Sequence, residues 1–207
     1  MLLCLAGLAG CGGHKADPAP TPKVYPAVAL GTYPLSGEAV SVVPLTMLIF
    51  TPPLAAPAEL ADRTKLLAWA DSIMGRALED RAPEVKWILP PELRKEAIRA
   101  PGVASDPDRM GQAIMRDHEL KVTPDPLRSS LRSMAAIAGG RHVLVPASLI
   151  FNSAANFQLH ADLSMVMIDT RTGVVVYRTV AAGTGSSPAG ALNAAMATVL
   201  PLETDKR

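Results

Sequence analysis

The chain has 207 residues, 49% of them apolar and 19% charged, with 20 basic side chains against 19 acidic ones. It is apolar enough to bury a core and long enough for one ordinary domain, which excludes an intrinsically disordered chain. A net charge of +1 excludes a protein whose main work is gripping nucleic-acid phosphates, and two cysteines, Cys4 and Cys11, exclude a disulfide scaffold or a four-cysteine zinc site.

Residues Met1 to Gly10 read as an uncharged apolar run ending in small residues. The run is too short to cross a bilayer, which takes about 20 apolar residues. It has the pattern of a cleavable secretory signal instead. Leu8-Ala9-Gly10-Cys11 resembles the lipobox of bacterial lipoproteins. The resemblance implies cleavage between Gly10 and Cys11, diacylglycerol on the Cys11 thiol and acylation of the freed amine. Small side chains at Ala9 and Gly10 admit the peptidase to the backbone, and a thiol supplies the nucleophile that takes the lipid. Acyl chains at about 0.8 kcal/mol per buried CH₂ amount to stable membrane anchoring. No Lys or Arg precedes Cys11, which points to a start upstream of Met1. Gly12, rather than an acidic residue, follows the cysteine. By resemblance to enteric lipoproteins this implies an outer-membrane, periplasm-facing address.

From Gly12 to about Tyr33, prolines at 18, 20, 22 and 26 favour an extended, semi-rigid spacer. The folded part is expected from Ser41. Val42 to Phe50 is a nearly continuous apolar run that suits one buried strand, with Pro44 restricting its early part to an edge or a strand start. Glu59 to Arg81 carries Leu66, Ala70, Ile73, Ala77 and Leu78 at helical spacing and ends before Pro83. Val85 to Leu89 reads as a short strand, and Pro90-Pro91 opens a helix over Glu92 to Arg99. Asp106 or Ser105 can cap a helix over Asp108 to Met115, and Asp125 can cap one from Pro126 to Ala138, closed by Gly139-Gly140. Strands follow over His142 to Phe151, Phe157 to Ile168 and Val174 to Ala181, with Asp169-Thr170-Arg171-Thr172-Gly173 as a tight turn between the last two. Ser187 caps a final helix over Ala189 to Leu200.

These readings give an α+β fold: a single mixed β-sheet with helices packed against it and a late β-meander, in the order β-α-β-α-α-α-β-β-β-α. The expected division is a signal over 1–10, the lipidated Cys11 and a proline-rich tether over 11–40, one periplasmic domain over 41–201 and a polar tail over 202–207.

The element order, the Asp169 to Gly173 turn followed by Val174-Val175-Val176-Tyr177, and the strand Gly140-Arg141-His142-Val143-Leu144-Val145 are similar to a group of envelope proteins. The group includes the TolB amino-terminal domain, LpoB and CsgG. The resemblance implies a non-enzymatic module that contacts an envelope protein. The alternative within it is a subunit of a secretion or pore complex. That role needs amphipathic membrane hairpins, which only Phe157 to Ala181 approaches.

The residues themselves offer little chemistry. His160 and Asp162 share a strand face, whereas His142 is expected to oppose a residue near Met165, away from His160. A solvated strand face explains the pair better than a metal site. Ala182 to Gly190 is glycine-rich between a strand and a helix, but it has no P-loop lysine and no following strand. Ser105 to Asp108 reads as helix capping rather than as a Ca²⁺ loop. His118 sits in the charged loop Arg116-Asp117-His118-Glu119, and Trp69, Trp87, Met165 and Met167 fall at core spacing. The mixed-charge stretch from Arg94 to Lys121 reads as a solvated face or as part of a partner surface, which Arg128 and Arg132 extend. The expected function is therefore a membrane-anchored binding or assembly module, with no catalytic residue, cofactor, metal, nucleotide or nucleic acid.

Overall fold

The computed structural model describes Tyr25 and residues 27–202. Gly10 and Cys11 lie outside these residues, as do the signal and most of the tether. The described chain forms one mixed sheet with helices on both faces, the expected α+β architecture. Its strands are β1 (Ala39–Val42), β2 (Leu48–Phe50), β3 (Lys86–Ile88), β4 (His142–Ser153), β5 (Leu159–Asp169) and β6 (Val175–Gly185). Its α-helices are α1 (Arg63–Arg81), α2 (Pro90–Arg99), α3 (Leu127–Ala138) and α4 (Pro188–Val199). The strand order is β3-β1-β4-β5-β6, with β2 paired to β4 beside β1. The β1, β2 and β3 pairings are parallel, and β4, β5 and β6 form the expected antiparallel meander.

The sheet separates two cores. On one face, called upper here, α1 and α4 bury Leu66, Ile73, Met74, Leu78, Leu192 and Met196 against Val40, Leu144, Leu149, Phe151, Leu163 and Met165. Phe50 stacks on Phe151 with ring centroids 4.8 Å apart. On the lower face, α2 and α3 with the turns between them bury Leu93, Met110, Met115, Leu131 and Met134 against Val143, Val145, Val166 and Ile168. From Leu163 to Asp169, β5 is buried on both sides, which is why its sequence runs apolar instead of alternating.

Local chemistry sets the boundaries. Asp62 caps α1 by accepting from the Lys65 N–H at 2.9 Å. Proline opens α2, as expected, and Gly139 closes α3 at φ +83°. Ser187 caps α4 by accepting from the Gly190 N–H. The Asp169 to Gly173 turn forms as read: Asp169 Oδ1 accepts from the N–H groups of Arg171 and Thr172, and Gly173 takes φ +78°.

Five expectations need correction. The single strand expected over Val42 to Phe50 is two strands along one side of β4. Pro44 has no N–H to give to a ladder, and the Leu45 N–H turns away to the Asp71 carboxylate at 2.9 Å. Pairing resumes when Leu149 donates to the Met47 carbonyl, and Pro146 stands on β4 opposite the interruption. The helix expected over Asp108 to Met115 is a pair of 3₁₀ turns, Pro107–Arg109 and Gln112–Arg116, divided by Gly111 at φ +82°. Asp125 does not cap α3, because Pro126 occupies that position and the carboxylate accepts from Ser129 Oγ instead. His142 opposes Asp169 rather than a residue near Met165. The β4–β5 turn is centred later than expected, with Asn156 and Phe157 at φ +57°, and a bulge between Pro146 and Ser148 shifts the register again. Finally, the stretch assigned to the tether joins the domain well before residue 41. Leu30 and Leu35 are buried in the upper core, Leu30 donates to the Val199 carbonyl, and β1 starts at Ala39.

Candidate partner-binding face

The helices cover the lower face unevenly. α2, α3 and the 3₁₀ turns lie over the half of the sheet that holds Val143, Val145, Val166 and Ile168. Among the described residues no helix covers the other half. It is built by β2, the end of β4, the start of β5 and the end of β6. Ile49 is 41% exposed there, Ala182 and Thr184 are exposed, and Ile150 and Val180 are half-buried. On the opposite side of the same strands, Phe50, Phe151, Leu163 and Ala181 are packed into the upper core.

A chain of polar side chains crosses this open face from strand to strand. Thr51 Oγ1 donates to Asn152 Oδ1 at 2.8 Å, and Asn152 Nδ2 donates to Asp162 Oδ2 at 3.0 Å. Asp162 Oδ1 lies 3.1 Å from His160 Nε2, and His160 Nδ1 lies 3.5 Å from Thr184 Oγ1. The register explains the alignment: Asn152 opposes His160, and His160 opposes Thr184. Each side chain is oriented by its neighbour on the next strand, so the row is held in place before anything binds. The His160–Asp162 pair expected on one strand face is therefore real, and His142 lies far along β4 from it. Among the described residues no group of three or more His, Cys, Asp or Glu gathers as metal ligands. The arrangement presents hydrogen-bond donors and acceptors between exposed Ile49 and Ala182 and half-buried Ile150 and Val180, the mixture that a protein-binding surface uses.

The other sequence candidates are dispersed. The Arg94 to Lys121 stretch closes the lower core through Leu93, Met110 and Met115. Its charges pair locally: Arg94 makes two hydrogen bonds to Asp108, at 2.9 and 2.8 Å, and lies 3.6 Å from the buried Asp71 Oδ2. Burial pushes the Asp71 carboxyl up to about 6, against the pull of the Leu45 N–H and the Arg94 charge. The Arg94 guanidinium holds Asp108 below the usual carboxylate range. Ser105 Oγ donates to Ser130 Oγ, and Asp106 caps the first 3₁₀ turn. Arg128 and Arg132 both donate to the Arg171 carbonyl at the β5–β6 turn, at 3.3 and 3.1 Å. The glycine-rich Ala182 to Gly190 stretch is packing. A Cβ on Gly183 would stand 2.1 Å from the Ala195 nitrogen, and one on Gly185 would stand 2.5 Å from the Ala191 nitrogen. These glycines let α4 lie directly on β6.

His118 sits where the N-terminal segment joins the domain. Tyr25 stacks on its ring at 4.0 Å and 14°. Burial and then the neighbouring Arg178 hold the imidazole below its ordinary pKa. From there the segment crosses the end of β6. Val28 donates to Thr179 Oγ1 and accepts from the Tyr177 hydroxyl. Sequence reasoning missed both this strap and the open face. The strap's only signal was Tyr25, Val28 and Leu30 among the prolines. The face's signal was the alternation of His160, Asp162 and Ser164 with Ala161 and Leu163.

No family model matches the chain, and no curated protein matches it. Solved structures similar to it include the LpoB C-terminal domain from Salmonella enterica, at 16% identity over 73% of this chain and 84% of that one, with a TM-score of 0.39. The PelC dodecamer from Paraburkholderia phytofirmans is similar at 16% identity, 83% and 84% coverage and a TM-score of 0.37. Lipoprotein GNA1162 from Neisseria meningitidis is similar at 13% identity, 72% and 82% coverage and a TM-score of 0.34.

Proposed function

We propose that the chain is a lipid-anchored, periplasm-facing lipoprotein of the outer membrane that acts as a non-enzymatic binding or assembly module of the cell envelope. The observation that carries this reading is the run Leu8-Ala9-Gly10-Cys11 leading into a proline-rich stretch. The order fits an anchor, a spacer and a docking domain. Signal cleavage falls between Gly10 and Cys11, and Cys11 carries the acyl chains. The residues from Gly12 to Tyr25, at about 3.1 Å each in an extended proline-rich conformation, give a reach of some 40 Å. Tyr25, stacked on His118, marks where the spacer meets the domain.

Tethering confines the domain near the membrane and raises its effective concentration for a membrane-associated protein, so a modest interface suffices. The open lower face, with its polar row from Thr51 to Thr184 and its exposed Ile49, is the surface offered to that protein. Among the described residues no helix is long and apolar enough to cross a membrane. The Phe157 to Ala181 stretch forms β5 and most of β6, and β5 lies between β4 and β6 in the sheet.

Metabolic labelling with a fatty-acid analogue tests the anchor. The wild-type chain takes up label and fractionates with membranes. The Cys11→Ser variant takes up none and leaves the membrane, with its folded domain unchanged by circular dichroism. Label retained in the Cys11→Ser variant refutes the anchor assignment.

A further inference from the structure

β6 ends the sheet on one side and is 11 residues long, whereas β3 at the other end has three. In a strand of L-residues, side chains on one face belong to residues whose backbone N–H and C=O point to the same side. Val175 packs on the lower core and its N–H donates away from β5, to the Lys121 carbonyl at 2.9 Å. Arg178, Val180, Ala182 and Thr184 share that face, since they oppose Val166, Ser164, Asp162 and His160. Their backbone groups therefore point out of the sheet. The Ala182 carbonyl agrees with this, because it accepts from Thr198 Oγ1 on α4 at 3.1 Å.

The first part of this outer edge is covered. Lys121 to Thr123 pair along Val175 to Gly173, and the N-terminal strap crosses at Tyr177 to Thr179. Beyond Thr179 no hydrogen bond from another described residue reaches the outward N–H or C=O of Val180 and Thr184, or the N–H of Ala182. The open stretch reads Val180-Ala181-Ala182-Gly183-Thr184-Gly185. It contains no charge and no proline, the devices that keep a sheet edge from pairing. Its flanks are small as well: exposed Ala182 and Thr184 on the lower side, and half-buried Ala194 and Ala197 of α4 on the upper. Among the described residues nothing bulky stands beside Val180 to Thr184 where another strand would lie.

We infer that two copies of the chain pair antiparallel through β6, about a two-fold axis at Ala182, so that the two sheets become one. The occupant this edge asks for is a strand that is already extended, uncharged and flanked by small residues. β6 of a second copy is such a strand, and it loses no backbone entropy on docking, unlike a disordered peptide. A two-fold pairing is also closed, so it stops at two. With Ala182 opposite its own counterpart, Val180 faces Thr184 of the second copy, a favourable β-branched pair. The two Arg178 side chains, each four positions from the axis, end roughly 27 Å apart at about 3.4 Å per residue, far beyond the range of screened repulsion. The Ala182 carbonyl keeps a second lone pair for the new ladder bond. This inference goes beyond the proposed function and does not depend on the anchor.

The test uses the full chain in detergent. Light scattering over a concentration series up to about 100 µM gives a dimer of protein mass that dissociates on dilution. Ala182→Lys places two ammonium groups opposite one another at an exposed position. It weakens the dimer at least tenfold, with circular dichroism unchanged and the same thermal midpoint as wild type at dilutions where both are monomers. Ala182→Cys sets two thiols on Cα atoms about 5.5 Å apart in a hydrogen-bonded pair, within disulfide reach. Under oxidation it yields a covalent dimer beyond whatever the wild-type chain forms through Cys4 and Cys11. A monomer throughout the series, a dimer that Ala182→Lys leaves as tight as before, or no extra disulfide from Ala182→Cys overturns the inference.

Discussion

Asp71 offers a quantitative check on the way α1 is tied to the β1–β2 crossing. Its side chain is 4% exposed, one oxygen accepts from the Leu45 N–H, and the other has Arg94 at 3.6 Å and no hydrogen-bond partner. Burial moves the pKa from 3.8 in an unstructured chain to about 6 in the fold. The folded state therefore holds this proton more tightly than the unfolded state does. Stability from this group is fully present below about pH 4 and is lost as pH rises through about 6. That shift makes folding with the carboxylate charged roughly 3 kcal/mol less favourable than folding with it protonated. Asp71→Asn keeps an oxygen for Leu45 and removes the titration. Urea unfolding of both proteins at several pH values isolates the effect, because every other group cancels in the difference. The stability of Asp71→Asn relative to wild type should rise by about 2 kcal/mol between pH 4 and pH 7. A difference that stays flat over that interval refutes the assignment of Asp71 as a buried, under-compensated carboxylate.

Two further substitutions test the packing of α4. Gly183→Ala drives a Cβ into the backbone of Ala195 rather than into a movable side chain, so it should cost about 3 kcal/mol, the upper end of overpacking, in chemical denaturation. Ser187→Ala removes the oxygen that accepts from the Gly190 N–H and should cost about 1 kcal/mol, read in the same experiment.

Much of this fold is legible because local signals suffice for it. The four long helical or turn signatures — the spacing in α1, the prolines before α2, Gly139 and Ser187 — each act within a few residues, and each forms where the sequence places it. The misreadings have tertiary causes. Whether Val42 to Phe50 runs on as one strand depends on Asp71, a residue of α1, taking the Leu45 N–H. The register of His142 depends on a turn whose two residues adopt positive φ although neither is glycine. Asp125 stands at the right offset for a cap but next to a proline that takes the cap position. The open face was invisible for a different reason. Periodicity reports that His160, Asp162 and Ser164 point away from Ala161 and Leu163. Only the placement of α2 and α3 reports which part of that face stays bare. The row from Thr51 to Thr184 joins four strands, and no single segment carries its pattern.

The strap at the N-terminal end has a mechanical consequence. A pull on the chain before Tyr25 enters the domain at the Tyr25–His118 stack and then at Val28 and Leu30, where separate hydrogen bonds to Thr179, Tyr177 and Val199 hold the segment. These bonds are loaded one after another, like a seam being peeled. β1, by contrast, is flanked by parallel partners on both sides, β3 and β4, and a pull along it loads all its bonds together. The strap yields first. Fully unpeeled from Tyr25 to Glu38, it releases at most roughly 50 Å of slack at about 3.5 Å per residue. Peeling takes Leu30 and Leu35 out of the upper core, but the sheet and the lower core are spared until that length has been spent, which makes the strap a fuse between whatever pulls on the chain and the domain it holds.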